Sequence, residues 1–202
     1  STPEVYGSNE NLISENQSFN PSTPYANSRA CFDNHLLSLY NNFRFPVIFT
    51  RTANVFGPYQ DLYRIIPVTI MRILQRKNIV IHGNGSSERS FILIKDVCVA
   101  LEKIMKSAKT GQTFHISTNE FISIKKLCLK IKKIFNSKSK LNFVKDRKGK
   151  DKAYKLSSSK LRKSLRWKET NNFDHNLHFT CNWYVSNFKK LSKLKLNYEH
   201  KK

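Results

Sequence analysis

The alternation within the first fifty residues constrains the fold more than any other feature of this chain. Ser1–Tyr6 reads as the end of a buried strand, closed by Gly7, and the polar, Asn- and Ser-rich stretch Ser8–Thr23 reads as a surface loop. From Pro24 to about Asn42 a long amphipathic helix is expected. Proline suits a first helical turn, and Ala30, Leu36, Leu37 and Tyr40 recur at helical spacing. Phe45–Arg51 is a compact apolar run with β-branched residues, the pattern of a core strand. Strand, helix and strand in succession make up half of a doubly wound parallel sheet, so the expected class is α/β.

Past residue 55 the expected elements shorten and mix, as in a smaller α/β cap. A helix is expected over Arg64–Arg76, a strand over Asn78–His82 and a turn at Gly83–Ser87. Extended chain at Ser90–Ile94 leads to a helix at Asp96–Ser107 and a strand at Gln112–Ser117. Ser123 can cap a helix over Ile124–Phe135. A Lys-rich linker precedes Asn142–Val144, Ser157–Leu165 and a terminal helix around Asp174–Lys190.

Two short clusters carry the candidate chemistry. Thr2 and Glu4 sit two residues apart at the expected strand end. Tyr25 and Arg29 lie one turn apart on one helix face. A guanidinium beside a phenol favours the phenolate, the form that a tyrosine acid/base needs. Tyr and Arg at this spacing also pair on many helix surfaces, so the pair alone decides nothing.

Ser1-Thr2-Pro3-Glu4-Val5-Tyr6-Gly7 followed by Pro24-Tyr25-Ala26-Asn27-Ser28-Arg29 resembles the active site of the extended short-chain dehydrogenase/reductases that act on nucleotide sugars. Within them it looks most like the dTDP-glucose 4,6-dehydratases, which read S-T-x-E-V-Y-G and then P-Y-x-x-S-K. Later stretches keep the family's order. Arg51-Thr52-Ala53-Asn54-Val55-Phe56-Gly57-Pro58 is similar to R-x-x-N-x-Y-G-P. Ile79–Gly85, Glu88–Phe91 and Lys95–Val97 are similar to I-x-G-x-G-x-x-x-R-D-F-x-x-V-x-D-V. Arg147, Gly149, Asp151, Tyr154, Ser159-Lys160, Leu165 and Trp167 are similar to R-x-G-x-D-x-x-Y, S-K and L-G-W.

The resemblance implies a Rossmann-type parallel sheet plus a smaller mixed α/β substrate-binding domain. Residues 1–55 would be the C-terminal portion of the Rossmann-type domain with the Tyr25 helix. Residues 56–190 would be mainly the cap, with some segments returning to the first domain, and 191–202 a basic tail. It implies NAD as cofactor, a nucleotide-diphosphate sugar as substrate, and a role in polysaccharide biosynthesis. Tyr25, Arg29, Glu4 and Thr2 would form the catalytic set, with Tyr25 and Arg29 also touching the cofactor. Asn54, Arg64, Arg89 and Arg147 would bind substrate; Arg89 would grip the diphosphate, a task suited to a planar five-donor guanidinium. A homodimer packed through the Tyr25 helix is implied as well, with Phe32, Leu36 and Phe43 turned outward.

Three departures from the family pattern narrow the expectation. Pro3 replaces the aspartic acid that protonates the leaving hydroxyl in many of these dehydratases. Arg29 replaces lysine, which keeps the charge and changes the reach. No G-x-x-G-x-x-G follows any strand, so a piece of a longer chain is expected, inactive by itself. The alternatives are another C4-oxidising enzyme, of the 4-epimerase or UDP-glucuronate decarboxylase type, or a non-catalytic nucleotide-sugar-binding remnant.

Composition excludes little beyond this. The chain has 202 residues, a net charge of +22 and 39% hydrophobic content, which is globular. The lysines are spread without a recognition motif, so nucleic acid is not expected as a partner despite the charge. Cys31, Cys98, Cys128 and Cys181 show no C-x-x-C spacing and read as buried free thiols of a cytoplasmic protein. Neither a metal site nor a membrane span is expected.

Overall fold

A computed structural model describes residues 1–146 and 154–196. In chain order, a 3-10 turn (Pro3–Tyr6) is followed by β1 (Asn9–Ile13), α1 (Pro24–Phe43), β2 (Phe49–Thr52) and β3 (Asn54–Phe56). Then come α2 (Ile65–Leu74), β4 (Ile79–His82), β5 (Glu88–Arg89), β6 (Phe91–Leu93), α3 (Ile94–Ser107) and β7 (Thr113–Ile116). The remainder comprises β8 (Ile122–Ser123), α4 (Ile124–Ile134), β9 (Leu141–Val144), β10 (Tyr154–Leu156), α5 (Ser159–Leu165), α6 (Phe173–Ser186) and α7 (Phe188–Leu191). The described residues fall into two compact units. The first gathers residues 1–55, 87–121 and 154–170, and the second 56–86, 122–146 and 171–196.

The first unit is built on parallel strand pairing. β2 runs parallel to β7, with Phe49 opposite Thr113 and Thr52 opposite Ile116. Phe114, His115 and Ile116 are all buried, as expected of a strand covered on both faces. β1 runs parallel to β10, with Asn9 opposite Tyr154, Ile13 opposite Leu156, and an irregular register between Asn9 and Leu12. The main apolar cluster joins Ala53, Ile92, Val97, Ala100, Ile104, Phe114, Ile116, Leu161 and Trp167. Trp167 Nε1 donates to the Asp96 carbonyl at 3.2 Å, which satisfies its one donor inside the core. The Asp96 carboxylate in turn accepts from the backbone N–H of Thr170 at 2.9 Å.

The second unit packs α2 on α4 and α6. Its own parallel pair is β4 with β9, Ile79 opposite Leu141. Ile66, Ile70, Leu127, Ile131, Leu177 and Tyr184 are buried there, and Tyr184 Oη donates to the Gln60 carbonyl at 3.0 Å. Ser123 caps α4 as its sequence suggests, its hydroxyl accepting from Lys126 N at 3.3 Å.

Four readings of the sequence are corrected. Ser1–Tyr6 does not end a strand. Pro3 fixes φ and lacks an N–H, and Thr2 Oγ1 accepts from Glu4 N, so the chain turns instead. The supposed loop Ser8–Thr23 contains β1. Only Ile13 of that strand is buried, so no alternation announced it. The strand expected from Phe45 begins at Phe49, because Pro46 has no N–H to give a ladder. Cys31 and Cys98 are exposed, and only Cys128 and Cys181 are buried.

Gly7 is needed where the turn closes. At φ 68 and ψ −167 it adopts a backbone that side chains resist, and an added Cβ would strike the Asn20 carbonyl. Its N–H donates to Glu4 O at 3.0 Å and Asn20 N donates to Val5 O at 2.9 Å, so the polar loop is tied back against the turn.

Candidate active site

The Pro3–Tyr6 turn, which Thr2 caps and which carries Glu4, packs against α1 near Ala30. Thr2 is buried in extended backbone, and Glu4 is half-buried. The turn packs on α1 and on β10. Val5, Tyr6, Ile13, Ala30, Tyr154 and Leu156 form the apolar cluster of that junction.

Helix α1 begins sharply. Thr23 Oγ1 accepts from Ala26 N at 3.1 Å and Pro24 occupies the first turn, which sets Tyr25 beside it. The Tyr25 side chain is 56% exposed. Arg29, one turn further, is half-buried with its guanidinium 5.9 Å from the Phe32 ring. Its Nε is buried without a hydrogen-bond partner. Leaving such a donor unmatched costs about 1–3 kcal/mol.

Asn54 and Arg89 meet on Tyr154. The Tyr154 hydroxyl donates to Asn54 Oδ1 at 3.3 Å, and the Arg89 guanidinium stands 4.4 Å from the Tyr154 ring centre. Asn54 N donates to Ser90 O at 3.1 Å, which locks the two segments together. Arg89 is buried and donates to the Glu88 carbonyl at 2.7 Å, while the Glu88 carboxylate pairs with Lys155 at 2.8 Å. Burial pushes the Tyr154 phenol above its ordinary value; Arg89 opposes this and the Glu4 carboxylate adds to it. Asn54 and Arg89 therefore meet on one phenol, within the electrostatic reach of Glu4. The sequence carried Tyr154 only as part of a motif, and nothing in the spacing gave it a partner.

Arg64 stands elsewhere, exposed at the N-cap of α2 in the second unit, 5.2 Å from the Tyr63 ring. Arg147 lies outside the described residues. Among the described residues no three His, Cys, Asp or Glu side chains converge as a metal site would require.

A second group that sequence reasoning missed is buried behind the site. Arg51 Nη2 donates to Asp33 Oδ2 at 2.7 Å, Arg51 Nη1 donates to Tyr6 Oη at 3.1 Å, and Tyr6 Oη lies 2.8 Å from His115 Nε2. Burial, then the charge of Arg51, holds His115 down to about 3, against the backbone of Ile13 and Ser157. His115 Nδ1 makes no well-formed hydrogen bond, so that backbone acts on it only at a distance. Burial also pushes Tyr6 up to about 12. The neutral imidazole thus accepts the Tyr6 proton while Tyr6 accepts from Arg51. Because the folded state disfavours imidazolium, the unfolded chain binds more protons between pH 6.5 and about 3, and stability falls as the pH drops through that window. The expected slope is about 1.4 kcal/mol per pH unit. Thermal unfolding between pH 7 and 5 checks it, and His115→Gln should flatten the dependence.

Parallel strand pairs alternating with helices give the α/β class of a Rossmann-type fold. Residues 1–179 match the family described as GDP-mannose 4,6 dehydratase, and the chain belongs to that family. It is 32% identical over 196 residues to human dTDP-D-glucose 4,6-dehydratase, covering 93% of this chain and 56% of that protein. It is 31% identical over 197 residues to a probable dTDP-glucose 4,6-dehydratase of Sinorhizobium fredii. The dTDP-glucose 4,6-dehydratase of Streptomyces venezuelae, solved with NAD and TYD bound, superposes with a TM-score of 0.91 at 27% identity. That match covers 96% of this chain and 61% of the other. A UDP-N-acetylglucosamine 4-epimerase of Methanobrevibacter ruminantium superposes at 0.85 with 27% identity, over 93% of this chain and 62% of its own. The chain thus spans little more than half the length of its curated relatives.

Proposed function

We propose that this chain supplies the tyrosine helix and substrate-binding part of an NAD-dependent nucleotide-sugar 4,6-dehydratase. The observation that carries the reading is the packing of the Thr2–Glu4 turn on the Tyr25–Arg29 helix, within a family whose members include dTDP-glucose 4,6-dehydratases. The residues fit a dinucleotide. The unmatched Arg29 Nε lies one turn from an exposed phenol, and a cofactor ribose supplies acceptor hydroxyls for it. When bound, NAD supplies the hydride acceptor and donor.

The residues then divide the proton work. Thr2 and Tyr25 hydrogen-bond the C4 oxygen, and Tyr25 removes its proton as C4 is oxidised. The ketone acidifies C5, and Glu4 takes the C5 proton while hydroxide departs from C6 and takes a proton from solvent; Glu4 then returns a proton to C5 as C6 is reduced. Arg89 binds the diphosphate and Asn54 holds the sugar. Exposed Phe32, Leu37 and Phe43 on α1 support a homodimer through this helix, whereas Leu36, expected outward, is half-buried. Sedimentation finding only monomer for the complete protein would refute that assembly. No helix of the described residues is long and apolar enough to cross a membrane.

Pro3 favours a second reading. It is buried where a dehydratase carries its acid, so C4 oxidation could proceed to epimerisation or decarboxylation instead. Incubating the complete protein with NAD and a panel of dTDP-, GDP- and UDP-sugars separates these. A 4-keto-6-deoxy product supports dehydration, an epimer or pentose supports the second reading, and no turnover with any sugar refutes both.

A further inference from the structure

The catalytic turn, the tyrosine helix and the substrate-binding strand share one buried polar node. Only Ala26, Ala30 and Asp33 of α1 are buried, so the helix has little apolar surface with which to fix its azimuth. Its one charged anchor is Asp33, one turn beyond Arg29. The Asp33 and Arg51 side chains are 5% and 4% exposed and lie 2.7 Å apart. Arg51 also donates to the Tyr6 hydroxyl, two residues past Glu4, and its guanidinium stacks 5.2 Å from the Tyr6 ring and 4.9 Å from the Phe19 ring. Arg51 is itself three residues before Asn54, and Ala53 N donates to Ile116 O at 2.9 Å, which holds that segment on β7.

A guanidinium presents donors in a fixed planar fork, so an anchor on each arm fixes their relative direction. Plain apolar packing would leave α1 free to rotate by small amounts, whereas a charge-assisted bond of this length is directional. We propose that Arg51 is a positioning residue: through Asp33 it sets the azimuth of the Tyr25 helix, and through Tyr6 it sets the turn carrying Glu4. This inference rests on the proposed function of those two residues. Arg51 couples the segments that carry the proposed catalytic groups.

The test uses the complete enzyme carrying Asp33→Asn, Asp33→Glu or Arg51→Lys, with Trp167→Phe as a control that weakens the core away from the site. At a temperature where all are folded, Asp33→Asn and Arg51→Lys are expected to lower kcat by about 10- to 100-fold. KM for the nucleotide sugar should stay within about threefold, because ground-state binding is untouched. Asp33→Glu should recover part of the loss, and Trp167→Phe should lower the melting temperature while keeping kcat. Asp33→Asn at wild-type kcat with only a lowered melting temperature would overturn the proposal. If the wild-type enzyme itself turns over no nucleotide sugar, the functional reading fails instead, and amide exchange judges the positioning. Asp33→Asn must then loosen residues 24–33 more than Trp167→Phe does, and equal protection in the two variants overturns it.

Discussion

Tyr25→Phe in the complete enzyme is expected to lower kcat by about 10²- to 10⁴-fold, the range for removing a positioned acid/base. The Tyr25 hydroxyl makes no hydrogen bond within the described structure, and the side chain is mostly exposed, so its deletion removes nothing from the fold. The melting temperature should therefore match wild type, and KM should change little. Steady-state turnover with parallel thermal unfolding checks the pair of expectations. Wild-type kcat in this variant would remove Tyr25 from the mechanism. Arg29→Lys is the companion: the family's own residue keeps the charge at that position and should retain activity.

Glu4→Gln is expected to divide the reaction in two. Oxidation at C4 needs Tyr25 and the cofactor, whereas removal of the C5 proton needs the carboxylate. The variant should form reduced cofactor on mixing with substrate, visible as NADH absorbance, and then stall. Turnover to the 4-keto-6-deoxy sugar should fall by about 10²- to 10⁴-fold, and exchange of the C5 hydrogen with deuterated solvent should cease. Pro3 makes Glu4 the one carboxylate of this turn, so no neighbour within the turn can substitute for it. If Glu4→Gln dehydrates sugars at the wild-type rate, Glu4 is not the base that takes the C5 proton, and its place in the mechanism falls.

Much of the fold was legible because its signals are local. Pro24 opens α1 and Ser123 caps α4 as expected, the Ser123 hydroxyl accepting from Lys126 N. The apolar run around Phe49 gave β2, since a strand covered on both sides needs continuous apolar residues. What escaped was non-local. β1 is polar and mostly exposed, and exists because β10 lies beside it. The Thr2–Glu4 segment looked extended because its apolar residues do, but Pro3 and the Thr2 hydroxyl decide otherwise. At the candidate site, motif order pointed to Glu4, Tyr25, Asn54 and Arg89. It could not show that Tyr154 is the surface on which Asn54 and Arg89 meet. Asp33 and Arg51 were equally hidden, since an ion pair across a helix and a strand leaves no periodic trace.

The pairing of Asn9 with Tyr154 has a kinetic consequence. The first unit is assembled from three stretches that are far apart along the chain. Nucleation cannot proceed from the amino-terminal stretch alone, because β1 gains its ladder, and the Glu4 turn its neighbouring strand, only once Tyr154–Leu156 has been made. Loop-closure entropy must be met before those contacts give anything back, which predicts slow refolding for a domain of this size. During synthesis the residues proposed to do the chemistry would wait, still unsheltered, for nearly the whole of their own unit to emerge.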